Sequence, residues 1–436
     1  MTAAGRPLGC QVRRPAAAGG LPGRGSGRNK EERVGVPEMN TDATRPGSPA
    51  EPAVGPLHGL RVIEVAAMGP VPFCGMLLAD LGAEVLRVDR TADAGLGIAL
   101  DPRFELRGRG KQSVAMDLKH PDGLAAFLRL VARADVLLEG FRPGVAERLG
   151  IGPRACLSLR PSLVYGRATG WGRSGPMSQA AGHDINYLAL TGALDMIGPA
   201  GGAPVPPLNL VGDYGGGALY LAFGVVSAAL EAARSGVGQV VDAAMIDGVS
   251  SLLTVFHGFR QAGMLNPERG ANVLDGGAPY YTTYATLDGR HMAVGAIEPK
   301  FFAVLLSELG LDQRELPAQQ DRARWPQLRQ AIAARFAQRT RDDWAAHFQD
   351  KDACVSPVLA LHEAPQHAHN QARAQMVDVD GIEHPAPAPR FSRTPASIRG
   401  NATAPGAHTV QALESWGFDA AEIERGLSAG FFRSDP

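Results

Sequence analysis

The 436-residue sequence has few cysteines, almost no net charge and no clear membrane-spanning run. Its four cysteines, at positions 10, 74, 156 and 354, form no CxxC pair, which argues against a disulfide scaffold and a thiolate zinc site. A formal net charge of −1 argues against nucleic-acid binding through general phosphate neutralisation. Because such cysteine usage suits a reducing compartment, we expect a cytoplasmic protein.

The longest apolar stretch, Tyr214 to Leu230, comes near the roughly 18 residues that a membrane helix needs. Three glycines stand at its start, and Asp213 and Glu231 bound it. We therefore interpret this stretch as a buried core helix, and we expect a soluble protein without a membrane partner.

The first 54 residues lack phenylalanine, tyrosine, tryptophan and isoleucine, and they are rich in glycine, proline, alanine and arginine. Such a segment cannot bury enough apolar surface to offset the entropy lost on ordering, so residues 1–54 are predicted to be a disordered extension. Glu31, Glu32 and Glu38, with scattered prolines, argue against an organelle presequence. Met39 offers an alternative first residue.

From residue 55 onward, short apolar segments alternate with helical ones. Strands are predicted at 60–65, 84–88, 135–139, 163–166 and 239–243, and helices at 73–81, 122–134, 144–149, 213–234 and from 247. This alternation predicts an α/β fold with a parallel, Rossmann-like sheet in a large domain, residues 55–245. Residues 246–275 are predicted to be a linker helix.

The pattern changes after about residue 275. A β-hairpin with an Asp288-Gly289 turn is predicted over 280–296, followed by helices at 301–309, 325–336 and 341–348. These elements predict a smaller α+β domain over residues 276–375. The proline-rich remainder, 376–436, is predicted to wrap on another part of the protein rather than fold alone.

Several familiar motifs are absent or misplaced. Residues 170–175 satisfy GxGxxG, but they follow the fourth predicted strand and precede Pro176, so nicotinamide or flavin binding is rejected. No GxSxG and no P-loop occur, which argues against those hydrolase and nucleotide-triphosphatase classes. His362, His367 and His369 lack the spacing of a zincin, so no metal site is expected.

Five basic residues fall near strand ends, in loops or on a short helix of the first half. They are Arg90, Arg109, Lys111, Arg142 and Arg148. Ligands of open α/β sheets bind beyond the carboxyl ends of the strands, where basic side chains meet phosphate. As a set these residues suggest a phosphate-bearing ligand, although ordinary surface charge is the better explanation of any single one.

Three other titratable residues stand in unusual stretches. His183 lies in GHDINY, Asp213 precedes three glycines at the predicted start of a long helix, and Glu298 opens the helix after the hairpin. Each has an ordinary structural explanation: a hydrogen-bonded core histidine, a helix N-cap and a first-turn acid. Glycines 215–217 would let an oxyanion approach backbone N–H groups at a helix start.

A family resemblance rests on stretches 55–90, 139–145, 168–172, 182–187, 206–217 and 277–298. On these residues the chain, from about residue 55 to its C-terminus, resembles the 2-methylacyl-CoA racemases of the family III CoA-transferase superfamily. The resemblance implies a large Rossmann-like domain and a small domain in an interlocked homodimer, with active sites between subunits. It also implies that the C-terminal segment returns to the large domain.

The resemblance implies roles for the candidate residues. His183 and Asp213 would be the proton-transfer pair, with Glu298 partnering His183. Arg90 and Arg148, with the region around Arg109 and Lys111, would hold the CoA moiety, and Arg142 belongs to the same basic set. Inverting a carbon α to a thioester needs a base on one face and an acid on the other, which a histidine and an aspartate can supply. CoA is then part of the substrate, and no metal or redox cofactor is expected.

Two alternatives stay open. A CoA-transferase of the same superfamily would use an aspartate nucleophile, and Asp184 stands at that place, but the transferase pattern does not supply His183, Asp213 and Glu298 together. A CoA-ester binding or scaffold protein would need none of these three residues. The sequence does not choose among branched fatty acyl, bile-acid and aryl-propionyl groups.

Overall fold

A computed structural model describes residues 55–92, 95, 98 and 100–435, so the predicted extension 1–54 lies outside the described residues. The strands in chain order are β1 Arg61–Val65, β2 Glu84–Asp89, β3 Gln112–Met116, β4 Val136–Glu139, β5 Val164–Thr169, β6 Val240–Ala244, β7 Tyr281–Ala285, β8 His291–Gly295, β9 Val355–Pro357, β10 Met376–Val379, β11 Ile382–Pro385 and β12 Phe432–Arg433. These strands form three sheets.

Helices cover the sheets and fill the connections between the strands. The α-helices are α1 Pro70–Asp80, α2 Pro121–Val131, α3 Val145–Arg148, α4 Pro153–Leu159, α5 Asp184–Thr191, α6 Leu219–Ser235, α7 Met245–Leu252, α8 Thr254–Gln261, α9 Pro299–Glu308, α10 Trp325–Phe336, α11 Arg341–Phe348, α12 Ala368–Ala372, α13 Thr409–Ser415 and α14 Ala420–Ser428. A π-helical segment, Leu210–Ala218, runs directly into α6.

The main sheet has seven strands in the order β12-β3-β2-β1-β4-β5-β6. Strands β1 to β6 pair in parallel, and β12 pairs antiparallel with β3 at one edge. Every residue of β4 and β5 is buried, as expected for parallel strands covered on both faces. The predicted α/β class with a parallel sheet is confirmed.

Two strands of this sheet were missing from the prediction. Strand β3 begins with Gln112 and Ser113 after a basic loop, so only its last three residues are apolar. Strand β12 is only two residues long. Its pairing with β3 brings the end of the chain back to the main sheet, where the Ala115 N–H donates to Thr409 Oγ1 (3.1 Å).

Both faces of the main sheet carry an apolar core. On one face, Phe127 of α2 and Trp416, which follows α13, pack in a single cluster with Phe432. On the other face, Val71 of α1 and Leu221 of α6 belong to a second cluster. The sheet thus lies between two layers of helices, which leaves its carboxyl edge free for side chains.

A separate antiparallel sheet, β7-β8-β9, carries helices α9, α10 and α11 with its own aromatic core. The predicted hairpin is present, with Gly289 in the left-handed region (φ 72°) and the Thr286 N–H donating to the Arg290 carbonyl (2.9 Å). Asp288 and Gly289 thus turn the chain as expected. The exact domain boundaries remain predictions.

The long apolar helix differs from the prediction of a buried core helix. The stretch Leu210–Ser235 is long and apolar enough to cross a membrane by length and composition, and only 39% of its apolar window is buried. Helix α6 packs one face on the sheet, whereas Leu219, Phe223 and Leu230 are exposed. Because both faces are apolar in sequence, the sequence alone could not show which face this chain leaves uncovered.

Candidate functional site

His183 and Asp213 both lie beyond the carboxyl ends of parallel strands. His183 precedes α5 and follows the loop after β5. Asp213 lies in the π-helical segment, and a Cβ placed on Gly69, just after β1, would stand 3.5 Å from Asp213 Oδ1. This edge is where open α/β sheets bind their ligands.

A buried carboxylate joins the elements that carry these two residues. Asp184, the first residue of α5, is 7% exposed, and its Oδ2 accepts the Asp213 N–H at 2.7 Å. A Cβ on Gly212 would come within 2.4 Å of the same Oδ2, so only glycine allows this approach. Burial is the main cause that raises the pKa of Asp184, and the charge of Asp213 raises it further.

The Asp213 carboxylate is half-buried and held by its own segment. Asn209 Nδ2 donates to Asp213 Oδ2 (3.1 Å), whereas Oδ1 faces the backbone of Gly69. Gly69 has φ 71°, in the region that favours glycine. Burial, with the nearby negative charge of Asp213, raises the pKa of Tyr187 to about 12. Among the residues that the structure describes, no side chain donates a hydrogen bond to Asp213 Oδ1.

The turn before His183 is supported by aromatic side chains. The Tyr187 hydroxyl donates to the Gly182 carbonyl, and the Tyr187 ring packs edge-on against Trp171 with centroids 4.7 Å apart. The His183 N–H donates to Asn186 Oδ1 (3.0 Å), whereas its side chain is exposed. The imidazole is therefore accessible on a fixed backbone.

Glu298 lies in a different part of the molecule. It is exposed and immediately precedes α9, next to the three-stranded sheet. Its carboxylate forms no hydrogen bond or ion pair with any of the residues that the structure describes, His183 included. Its negative charge acts on Cys354, where burial is the larger cause of a raised pKa. Glu298 and His183 therefore form no contact within the described part of one chain. Their pairing stays a prediction.

Three of the five predicted CoA-binding residues are exposed at this edge of the sheet. Arg90 directly follows β2, Arg142 follows β4, and Arg148 ends α3. The positive charge of Arg142 acts on Tyr187, which places it beside the site. These guanidinium groups can reach a phosphate without breaking a buried ion pair.

The other two predicted residues are buried and already paired. Arg109 donates to both carboxylate oxygens of Asp80 (3.1 and 2.6 Å) and to the Pro385 carbonyl. Lys111 Nζ donates to Glu64 Oε2 (2.6 Å) and to the Pro72 carbonyl. Both side chains therefore form buried ion pairs that stabilise the fold, and their contact with CoA remains a prediction.

A small charged cavity near Asp213 escaped the sequence analysis. It has a volume of about 240 Å³, and its lining includes Glu64, Arg87, Asp89, Glu105, Arg107 and Lys111. Arg107 pairs with Glu105 (2.6 Å), and the nearby Tyr214 ring stacks on Phe73 (centroids 4.4 Å apart). These charges come from strands β1 and β2 and from the segment before β3, so no spacing within one stretch of the sequence could reveal the cavity.

The glycines after Asp213 do not form the predicted anion site at a helix start. They lie inside the helical segment, which begins at Leu210 rather than at Asp213. A Cβ on Gly216 would come within 2.8 Å of Val249, and one on Gly217 within 2.9 Å of Met245 and Pro70. The glycines therefore allow close helix packing.

Comparison with known proteins shows the family. The sequence model described as CoA-transferase family III matches residues 57–409, which is most of the chain. The chain belongs to this family. It is 48% identical to the alpha-methylacyl-CoA racemase of Mus musculus over 370 residues and 44% identical to that of Homo sapiens over 372. Each alignment covers 84% of this chain and 95% of the relative.

A solved family structure supports the fold. The CAIB/BAIF family protein from Brucella suis superposes with a TM-score of 0.72 at 25% identity, covering 83% of this chain and all of that one. This agreement confirms the family III fold predicted from the sequence.

Among residues 55–435 that are described, no cluster of three or more histidine, cysteine, aspartate or glutamate side chains could hold a metal ion.

Proposed function

We propose that this family III protein interconverts (R)- and (S)-2-methylacyl-CoA thioesters by 1,1-proton transfer. The observation that carries the proposal is that Asp184 ties the backbone of Asp213 to the residue after His183. An imidazole and a carboxylate are thereby fixed at one sheet edge. The two relatives at 48% and 44% identity confirm the predicted racemase activity, which is that of an isomerase.

The proton transfers follow from the two groups. Neutral His183 takes the α-proton of one epimer, and the electrons of the C–H bond pass into the thioester to give a planar enolate. Protonated Asp213 then returns a proton to the opposite face of the α-carbon. The other epimer reacts with the roles exchanged, so each turnover leaves the enzyme ready for the reverse direction.

The enolate oxygen needs hydrogen-bond donors close to His183. The backbone N–H groups of Asp184 and Ile185, in the first turn of α5, have no acceptor among the described residues. Such free N–H groups at a helix start favour negative charge. They replace the Gly215–Gly217 donors that the sequence suggested, and they would stabilise the enolate as an oxyanion hole does.

We propose a homodimer in which one copy supplies Glu298 to His183 of the other. The exposed apolar side chains of α6 need a cover, and isologous association of two copies would supply it. A cleft of about 1320 Å³ lies between residues 270–277 and strands β7 and β8. It is larger than a typical small-molecule pocket, and a segment of a second copy fits it better.

CoA would bind through the exposed Arg90, Arg142 and Arg148. Their guanidinium groups suit the phosphates of CoA, which stays attached to the acyl group throughout the proposed reaction. The thioester itself acidifies the α-proton, so the proposed reaction calls for no resident cofactor. A cytoplasmic location is proposed from the cysteine content alone.

The CoA-transferase alternative has less support. It requires the Asp184 carboxylate to attack a thioester carbonyl, yet this side chain is 7% exposed and accepts a backbone hydrogen bond through Oδ2. The other oxygen, Oδ1, is buried, so attack would require the side chain to leave its position beside Gly212. His183 and Asp213 would then have no evident task.

Proton exchange on a 2-methylacyl-CoA in deuterated buffer tests the proposal. NMR at the α-carbon should show deuterium incorporation together with loss of chirality, and both should depend on His183 and Asp213. Transfer of CoA to a free acid, with an acyl adduct on Asp184 detected by mass, would identify a transferase instead. Binding of the ester without exchange would identify a binding protein.

A further inference from the structure

Asp184 accepts a backbone N–H group at the start of the π-helical segment. In an i→i+5 helix the first five backbone N–H groups, residues 210–214, have no acceptor within the segment. Asn209 precedes the segment, and its side chain does not cap it. Instead the Asp184 carboxylate accepts the Asp213 N–H at 2.7 Å through Oδ2.

We infer that Asp184 is a positioning residue that caps the Asp213 segment from α5 and so fixes Asp213 relative to His183. This inference rests on the proposed racemase function and adds to it a task for a carboxylate that the proton transfers leave unused. The cap also sets where the helical segment begins, and thereby the direction in which the Asp213 side chain leaves the backbone.

Packing around the Asp184 carboxylate supports this role. The side chain is 7% exposed, and Gly212 brings backbone so close that a Cβ there would stand 2.4 Å from Asp184 Oδ2. The other oxygen, Oδ1, is buried and has no hydrogen-bond partner among the described residues. A carboxylate held in this way stabilises a helix start, where negative charge is favoured.

Loss of the cap should damage the Asp213 half of the reaction more than the His183 half. For the epimer whose proton His183 removes, a misplaced Asp213 would fail to reprotonate the opposite face. His183 would then return a solvent deuteron to the same face, giving deuterium incorporation with retained configuration. The ratio of retention to inversion therefore reports the position of Asp213, which a general loss of stability would not change.

The test compares Asp184→Asn, Asp184→Ala and Gly212→Ala with wild type in deuterated buffer, starting from each epimer separately. Inversion should fall about 100-fold in Asp184→Ala, because misplacement of a reacting group by about 1 Å costs that much. Asp184→Asn keeps one acceptor oxygen and should lie between Asp184→Ala and wild type. In all three variants the retention-to-inversion ratio should rise for one epimer only.

Gly212→Ala keeps Asp184 but forces its carboxylate away, so it gives the same test if Asp184→Ala fails to fold. Gly258→Ala is the matched control, since nothing lies within 4 Å of a Cβ there and it should exchange like wild type. Unchanged ratios in Asp184→Asn and Gly212→Ala, with wild type active, would overturn the inference alone. An acyl adduct on Asp184, or no exchange by wild type, would overturn it together with the proposed function.

Discussion

Asp213, a member of the proton-transfer pair, and Glu298, the predicted partner of His183, occupy surroundings that this chain completes to different degrees. Asp213 has Asn209 on one oxygen, the backbone of Gly69 near the other and Asp184 on its own N–H. Glu298 is exposed before α9, and the described part of the chain gives its carboxylate no partner. Asp213 is thus preorganised within one chain, whereas Glu298 would gain a partner only in the proposed homodimer.

Replacing either member of the proton-transfer pair should have the largest effect. His183→Ala and Asp213→Asn should each lower kcat for inversion by about 1000-fold, because each removes one acid–base group from a two-base reaction. Inversion is followed by circular dichroism or chiral chromatography of the acyl group. Unchanged binding of the CoA ester is the control, and a variant that retained near-wild-type inversion would contradict the assignment.

Co-expression of two inactive variants tests whether Glu298 acts across a dimer. His183→Ala and Glu298→Ala copies, differently tagged, assemble into mixed dimers in which one site carries both defects and the other carries none. Random pairing makes about half of all dimers mixed, so about a quarter of wild-type activity should return.

The same mixture gives a clear contrary result. If His183 and Glu298 met within one copy, every site in a mixed dimer would carry a defect and no activity would return. Separate purification and late mixing of the two variants is the control. Copies that do not exchange should stay inactive under that treatment.

Several elements could be predicted because their signal is local. Strand β4 begins with three consecutive apolar residues, and the hairpin turn at Asp288 and Gly289 has its own chemistry. The start of the Asp213 helix was placed three residues late, because its cap comes from Asp184, 29 positions earlier. No local pattern reports an acceptor supplied by another element.

The basic residues show a second limit of the sequence. Arg90 and Lys111 both stand near strand ends, yet one is exposed and the other is 5% exposed with Glu64 as its partner. The sequence showed the charges but not which carboxylates would neutralise them. Likewise the missing partner of Glu298 became visible only once its surroundings were known.

Lys111 forms a buried ion pair with Glu64 of β1 in the main sheet, and breaking this pair should destabilise the fold. Lys111→Met leaves the Glu64 carboxylate buried without its partner and should cost about 3–5 kcal/mol in the free energy of unfolding, measured in urea. Arg314→Ala, which breaks the exposed pair with Asp312 near the three-stranded sheet, is the control and should change little.

The destabilisation by Lys111→Met should depend on pH. Burial already raises the pKa of Glu64, and without Lys111 the folded protein holds that proton to still higher pH. The folded state then binds more protons than the unfolded state above about pH 4.5, so stability falls as pH rises through the folded pKa. An equal loss of stability at pH 5 and pH 8 would show that Glu64 finds another partner.

The smallest effects are expected at two partly exposed carboxylates, Glu147 and Glu363, each of which pairs with a buried arginine. Arg167 holds the pKa of Glu147 at about 2, and Arg341 does the same for Glu363 near the three-stranded sheet. Because both values lie below the ordinary one, each pair stabilises the fold above about pH 4.5, and that stability is lost as pH falls toward 2. Glu147→Gln should cost below about 1 kcal/mol, since solvent screens the pair.

Glu363→Gln should lower the melting temperature more than Glu147→Gln. Arg167 keeps the buried Glu139 as a second carboxylate partner (2.5 Å), whereas the remaining carboxylate partner of Arg341 among the described residues is Asp342, whose side chain is 72% exposed. Thermal unfolding of both variants at pH 7 and at pH 3 gives the comparison, and the gap between each variant and wild type should narrow at pH 3. A larger drop in melting temperature for Glu147→Gln would contradict this expectation. It would show that Glu139 alone does not stabilise Arg167 and that both carboxylates are needed.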